Sequence, residues 1–353
     1  VLLNLALIGS LIGLADVLPT AGHALAWGVA GAGVLQMVWL WFATARAGMA
    51  LGLSIPRLTP KVRELGRLML PAVVGSGVAQ INIAVDIIIA SLLATGSISY
   101  LFFADRVNQL PLGVLGVAVG TALLPLLSRQ VRAGDGAGAL HSQNRAIEFS
   151  LLLTLPAAAA LMVIAAPVIR VLFERGQFGP VEAAATAAAL AVYAAGLPAY
   201  VLVKALAPGF FGREDTATPV KISVLCLFVN LILNLILMGP FLHVGIAAAT
   251  VVSSWLNAGI MGYVLHKRGH LVIDRRLAGR LPGMIAASFG MAVALYFAAA
   301  GLGPALAGPT MVRALALAVL VGGGMAVFAG LALVFGAARL GDLKSLYRGG
   351  GTP

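Results

Sequence analysis

The chain has 353 residues, 61% of them apolar and only 10% charged, with a formal net charge of +11 and a mean hydropathy of +1.02. Soluble domains run at about 45–50% apolar and about 25% charged, so the composition excludes a soluble domain and points to a polytopic membrane protein. The single cysteine, Cys226, excludes a disulfide framework and a cysteine metal centre.

A spanning helix needs about 20 predominantly apolar residues. On that rule the chain reads as all-α, with ten spans near 2–19, 24–45, 65–94, 98–128, 146–172, 181–204, 219–239, 243–265, 281–300 and 310–337. The third and fourth exceed the minimum and are expected to tilt, bend or protrude. Pro71, Pro111, Pro125, Pro156 and Pro198 fall inside spans and are expected to kink or break them. Gly116 and Gly120 form a GxxxG pair expected to pack closely.

Basic residues cluster in alternate loops. One set is Arg46, Arg57, Lys61, Arg63 and Arg67; the next are Arg129, Arg132 and Arg145, then Lys204, Arg213 and Lys221. Two more are Lys267, Arg268, Arg275, Arg276 and Arg280, and finally Arg339, Lys344 and Arg348. The loops near Gly22, Gly96, Gly239 and Gly303 have no Lys or Arg, and FERGQF at 173–178 is nearly balanced. The positive-inside rule then puts both ends in the cytoplasm. The same alternation accounts for the net positive charge, so no nucleic-acid partner is expected.

Among the loops, 205–218 is the most distinctive. Thr218 reads as an N-cap with Pro219 at the first helical position. Phe210 and Phe211 beside Arg213 suit the inner membrane surface, and an ordinary interhelical turn suits the pattern equally well. Segments 133–144 and 348–353 are Gly-rich and expected to be mobile. There is no Gly-rich phosphate loop and no HExxH, and the histidines lie near helix ends, so enzyme chemistry lacks its parts.

Two polar groups stand inside apolar spans. Asp105 and Arg106 lie in the fourth, with Asn108 and Gln109 a turn on. A charge at the bilayer centre costs roughly 2.5–3.5 kcal/mol on insertion scales, so such residues face a bundle interior or a wet cavity. The pair either locks helices together or presents a cation to a substrate, with Arg106 about 12 Å from the outer end of its helix. The second group is Asp86 in span three, Asn230 and Asn234 in span seven, and Thr250 in span eight. Counted from the outer face, all four fall in one band about 8–14 Å deep. Carboxylate, amide and hydroxyl oxygens, with a backbone carbonyl near Ile246, make a hard set suited to Na⁺. The alternative is an interhelical hydrogen-bond cluster with Asp86 neutral.

Within 99–132, the pattern ADRxxxxPLGVxGVAxGTxLLPxLSR resembles a helix of the MurJ (MviN) lipid II flippases, in the multidrug/oligosaccharidyl-lipid/polysaccharide exporter superfamily. QINIAVDIIIAS (80–91) resembles the family's seventh helix and VLFERGQF (171–178) the loop after the ninth. GLPAYVLVKALAPGFFGREDTATPVKI (196–222) resembles the tenth helix, its loop and the start of the eleventh. The resemblance aligns the spans with the last ten of the family's fourteen. The chain opens at Val1, inside an apolar segment, and so reads as lacking the earlier helices and the cavity arginines they carry. It implies the end of an N-terminal lobe at 1–63, a six-helix lobe at 64–270, and an accessory pair with a tail at 271–353. The implied fold is a V-shaped two-lobe bundle around a cationic cavity. The implied activity is movement of lipid II, an undecaprenyl-pyrophosphate-linked precursor, across the bacterial inner membrane by alternating access.

On that alignment Arg106 matches a functionally important arginine and Asp105 its neighbour, so Arg106, Asp105 and Gln109 are the expected substrate contacts. Gln109 stands where some members have Glu, and Ala217 departs from a commonly basic position. Sodium coupling proposed for the family favours Na⁺ at Asp86, Asn230, Asn234, Ile246 and Thr250. No other cofactor is expected. The expected partners are lipid II and membrane lipids, with the chain a monomer. Alternatives are a polysaccharide-lipid or drug exporter and a non-transport scaffold.

Overall fold

The computed structural model describes residues 1–49 and 59–338, with the side chains of 61, 64–76, 79 and 114–122 outside that description. The expected kink at Pro71, the Gly116/Gly120 contact and the tail 348–353 therefore lie outside the described residues. The described chain is all-α, in helices α1 (Leu2–Leu14), α2 (Ala21–Arg46), α3 (Pro60–Ser91), α4 (Ser97–Arg132), α5 (Gly136–Phe173), α6 (Pro180–Phe211), α7 (Ala217–Lys267), α8 (Arg275–Gly301), α9 (Gly303–Leu306) and α10 (Thr310–Val334). Among the described residues six helices, α2, α5, α6, α7, α8 and α10, are long and apolar enough to cross a membrane. The protein is a multi-pass helical membrane protein.

The chain divides into two compact units, Val1–Gly66 and Arg67–Pro353. In the first, α1 and α2 pack together along small residues. Ala24, Gly28 and Ala32 recur every four positions as the buried stripe of α2. A Cβ on Gly28 would sit 2.2 Å from Ser10 Oγ, so glycine sets how closely the helices approach. The expected first span, 2–19, is shortened: α1 ends at Leu14 and turns follow. Its 13 residues reach about 20 Å, less than a hydrocarbon core of about 30 Å.

The second unit is built around α6, the most buried of the apolar helices, which packs on α4, α5 and α7. Its alanine-rich surface is small on every side, so neighbours close in all round. Further out, α8 packs on α5, and α10 on α8 and α5.

Helix starts are set by short acidic residues. Asp135 accepts from Gly138 N–H (2.8 Å) at α5, Asp215 from Thr218 N–H (3.0 Å) at α7, and Asp274 from Leu277 N–H (2.7 Å) at α8. Three expectations change as a result. Segment 133–144 is a short turn followed by helix from Gly136, with Gln143 and Asn144 buried. Thr218 lies inside the first turn of α7, where its N–H is held by the Asp215 carboxylate, and the N-cap position is Thr216. Loop 205–218 is helical as far as Phe211, because its backbone is buried: Gly209 lies against Leu265 and Gln143, where unpaired peptide groups would be costly.

Spans seven and eight are the two arms of α7, which reverses after Pro240 at Leu242 (φ 53°, ψ −134°). Cross-arm contacts fix the antiparallel register. Ser253 Oγ donates to Cys226 O (2.8 Å), Asn230 Nδ2 to Thr250 Oγ1 (3.4 Å), and a Cβ on Gly245 would lie 2.3 Å from Leu237 O. Pro156 and Pro198 do not break their helices. The departure in α5 is Ile164 (φ −104°, ψ 21°), in the turn that Pro167 deprives of a hydrogen bond.

Candidate functional site

Between α3, α4, α6 and α7, all within the second unit, lies a cavity of about 510 Å³. Its wall is apolar, with polar groups at chosen points: Asn82, Asp86 and Thr250 in one group, Asp105, Asn108, Gln109, Tyr200 and Lys204 in the other.

The first group brings together all the residues expected from their depth. Asn234 Nδ2 donates to Asp86 Oδ1 (2.6 Å) and to Asn230 Oδ1 (3.0 Å). The Thr250 hydroxyl lies 3.1 Å from both Asp86 Oδ2 and Ile246 O, and with one hydrogen it donates to one of them at a time. Asn230 and Asn234 are fully buried, and Asn234 Oδ1 has no partner among the described residues. With its amide turned over, Asn230 Nδ2 lies 3.1 Å from Asp86 Oδ1 and 3.1 Å from Asn82 Oδ1. Half a turn of each amide exchanges nitrogen for oxygen, so the same side chains serve as donors to a carboxylate or as oxygen ligands to a cation.

The donor set fits a small monovalent cation. One carboxylate supplies a single negative charge, and amide, hydroxyl and Ile246 carbonyl oxygens complete a hard shell. Among the described residues no three His, Cys, Asp or Glu side chains converge, so a soft-metal cage has no counterpart there.

In the second group, Gln109 Nε2 donates to Asp105, and Arg106 Nη1 donates to Gln109 Oε1 at 3.5 Å. Asp105 and Gln109 line the cavity, but Arg106 does not: it is exposed, with its guanidinium 4.8 Å from the centre of the Phe102 ring. Adjacent helical residues point about 100° apart, so the Asp-Arg pair divides between two faces of α4.

Four lining residues, Asn82, Asn108, Tyr200 and Lys204, are not among the site residues expected from the sequence. Asn82 lies one turn before Asp86 on the same face of α3, a periodicity signal that could have found it. Among the described residues, the buried Asn108 Oδ1 and the buried Tyr200 hydroxyl have no hydrogen-bond partner. Lys204 groups by sequence with a cytoplasmic loop, because Pro208-Gly209 resembles a helix stop. Instead it sits two turns inside α6.

At the junction of α5 and α8, an ion network joins the two helices. Glu148 faces Arg145, Arg276 (3.3 Å) and Arg280 (2.5 Å), and Arg145 also pairs with Asp274. Asn144 ties the intervening loop down, donating to Val272 O (2.8 Å) and accepting from Asp274 N–H (3.2 Å).

The family model for the lipid II flippase MurJ matches residues 1–302. The chain belongs to the MurJ family. It is 45% identical over 331 residues to the probable lipid II flippase MurJ of Rhizobium meliloti (strain 1021), covering 93% of this chain and 62% of that protein. The chain thus spans less than two thirds of that relative's length. Its fold is similar to that of a lipid II flippase MurJ in an inward closed conformation, with a TM-score of 0.74 and 21% identity over 95% of this chain and 66% of the other. A more distant likeness is to an outward-facing multidrug resistance MATE transporter of the MOP superfamily, with a TM-score of 0.53 and 20% identity over 80% of this chain and 66% of that one.

Proposed function

We propose that the chain acts in a lipid II flippase, carrying a lipid-linked pyrophosphate from the inner to the outer leaflet, with a monovalent cation at Asp86 coupled to the movement. The observation that carries this reading is the family match over residues 1–302, to which the cavity adds chemistry suited to the task. Lys204 offers an ammonium at the cavity wall, and Arg106, outside the cavity on the exposed side of α4, offers a guanidinium whose planar fork suits phosphate oxygens. Asp105 and Gln109 supply acceptors and donors for a polar headgroup. The alternation of basic loops supports placing both ends of this chain on the cytoplasmic side.

The test is depletion and complementation in cells. Lipid II trapped in the inner leaflet on depletion, restored by the wild-type gene, supports the reading. Normal outer-leaflet lipid II in depleted cells refutes it.

A further inference from the structure

The Asp86 cluster has an inner and an outer side. Asn230, Asn234 and Ile246 are fully buried, whereas Asn82, Asp86 and Thr250 line the cavity. The two oxygens of Asp86 follow the same division. Oδ1 accepts from the buried Asn234, and Oδ2 from the Thr250 hydroxyl (3.1 Å) and from Asn82 Nδ2 (3.5 Å). Asn82 also reaches Asn230: its Oδ1 is 3.1 Å from the Asn230 amide nitrogen when that amide is turned over. Its bond to Asp86 is longer than the usual N–H···O distance of about 2.7–3.2 Å, so it holds the Asn82 amide only weakly in one orientation.

We propose that Asn82 is a further oxygen ligand of the cation site at Asp86 and its lid on the cavity side. An amide N–H beside Oδ2 serves the bare carboxylate, and an amide oxygen in the same place serves a cation bound to it. Half a turn of one side-chain amide exchanges the two. Asn82 does so by giving up one long bond to Asp86, whereas Asn234 must give up bonds of 2.6 Å to Asp86 and 3.0 Å to Asn230. It is also the one amide of the cluster that borders the cavity, so a cation moving between cavity and carboxylate passes it. Asn82 thus sets both how tightly the ion is held and how fast it leaves.

This rests on the cation reading of the Asp86 cluster, and the experiment separates the two. Isothermal titration of Na⁺ into the purified full chain, in detergent and choline buffer at mildly alkaline pH, gives the affinity. Retention of radioactive Na⁺ through rapid desalting gives the release rate. Asn82→Ala should bind Na⁺ roughly 10-fold or more weakly, within the range for groups that support a metal site, and release it faster. Asn82→Asp loses the N–H donor, keeps an oxygen at the same reach and adds a negative charge. It should bind Na⁺ at least as tightly as wild type and melt lower in choline, where two carboxylates repel. An amide that served only as a donor to Asp86 predicts the opposite, a Na⁺ affinity that falls in Asn82→Asp as in Asn82→Ala, and that result overturns the ligand assignment. Unchanged affinity in Asn82→Ala overturns it too and leaves the Asp86 site standing. Weaker binding with an unchanged release rate keeps the ligand and overturns the lid. If Asn82→Ala does not fold, Asn82→Asp decides alone. No Na⁺ binding in wild type, or equal binding in Asp86→Asn, overturns the cation site and this assignment with it.

Discussion

At the residue scale, the Asp86 cluster decides how a charge survives in the apolar interior. Its carboxylate has hydrogen-bond donors on both oxygens, from α3 and from both arms of α7. On the proposed function, a Na⁺ ion bound there would stabilise the fold by about 2.7 kcal/mol at a concentration 100 times its Kd. Asp86→Asn should abolish that increment, so its melting temperature should be the same in Na⁺ and choline. Thermal denaturation of both proteins in the two salts checks this. Arg106 is tested differently, because it stands outside the cavity on the exposed face of α4. Arg106→Ala should abolish flipping while leaving insertion intact, and Arg106→Lys should retain part of it, since an ammonium cannot make the planar fork. Cellular complementation with membrane-fraction blots reads both. Glu148 is structural by contrast. It faces three arginines at the α5–α8 junction, a buried carboxylate whose charge is compensated on every side.

At the element scale, the α7 hairpin is the most constrained piece of backbone. Leu242 sits at φ 53°, where side chains other than glycine are strained, and Gly245 passes against the Leu237 carbonyl. Gly245→Ala should lower stability by roughly 1–3 kcal/mol, because its methyl has no room and the arms must separate. Their separation would also pull Asn230 from Thr250, so Na⁺ affinity should fall with it. Denaturant titration reads the first effect and calorimetry with Na⁺ the second. The 212–216 turn has its own signature. Burial acts upward on the Asp215 carboxyl, but hydrogen bonds from Thr218 and the Arg268 guanidinium outweigh it and hold the pKa down at about 2. A depressed carboxylate stabilises the fold above its unfolded value of 3.8, and that contribution is lost as pH falls through about 2. Asp215→Asn should therefore lower stability at neutral pH and converge with wild type in strong acid, which unfolding curves across that pH range would show.

At the scale of the whole molecule, the question is which face of the membrane each loop occupies. Gly212, an obvious labelling position from its loop-like sequence, is buried against Leu127 and Ser128, so a cysteine there would report packing. Thr216 and Gln177 are exposed and lie on loops of opposite expected sidedness. In a Cys226→Ala background, Thr216→Cys should react with an impermeant maleimide only from the cytoplasm and Gln177→Cys only from outside. The reverse pattern overturns the orientation.

The membrane class, the approximate spans and the loop-charge alternation were determined by the sequence alone, because hydropathy and net loop charge are sums along the chain. The company of Asp86, Asn230, Asn234 and Thr250 was legible for a similar reason: depth is a residue count at fixed rise, and the i, i+4 spacing of the two asparagines fixes a shared face. Tertiary structure decided what counting cannot reach. Whether Pro208-Gly209 ends a helix depends on burial beneath Leu265 and Gln143, where the backbone must stay hydrogen-bonded. That continuation carries Lys204 to the cavity wall. Azimuth is equally a matter of packing: α4 turns Asp105 inward and Arg106 outward because its neighbours α5, α6 and α7 cover one side of it. Depth follows from the chain; direction follows from what the helix packs against.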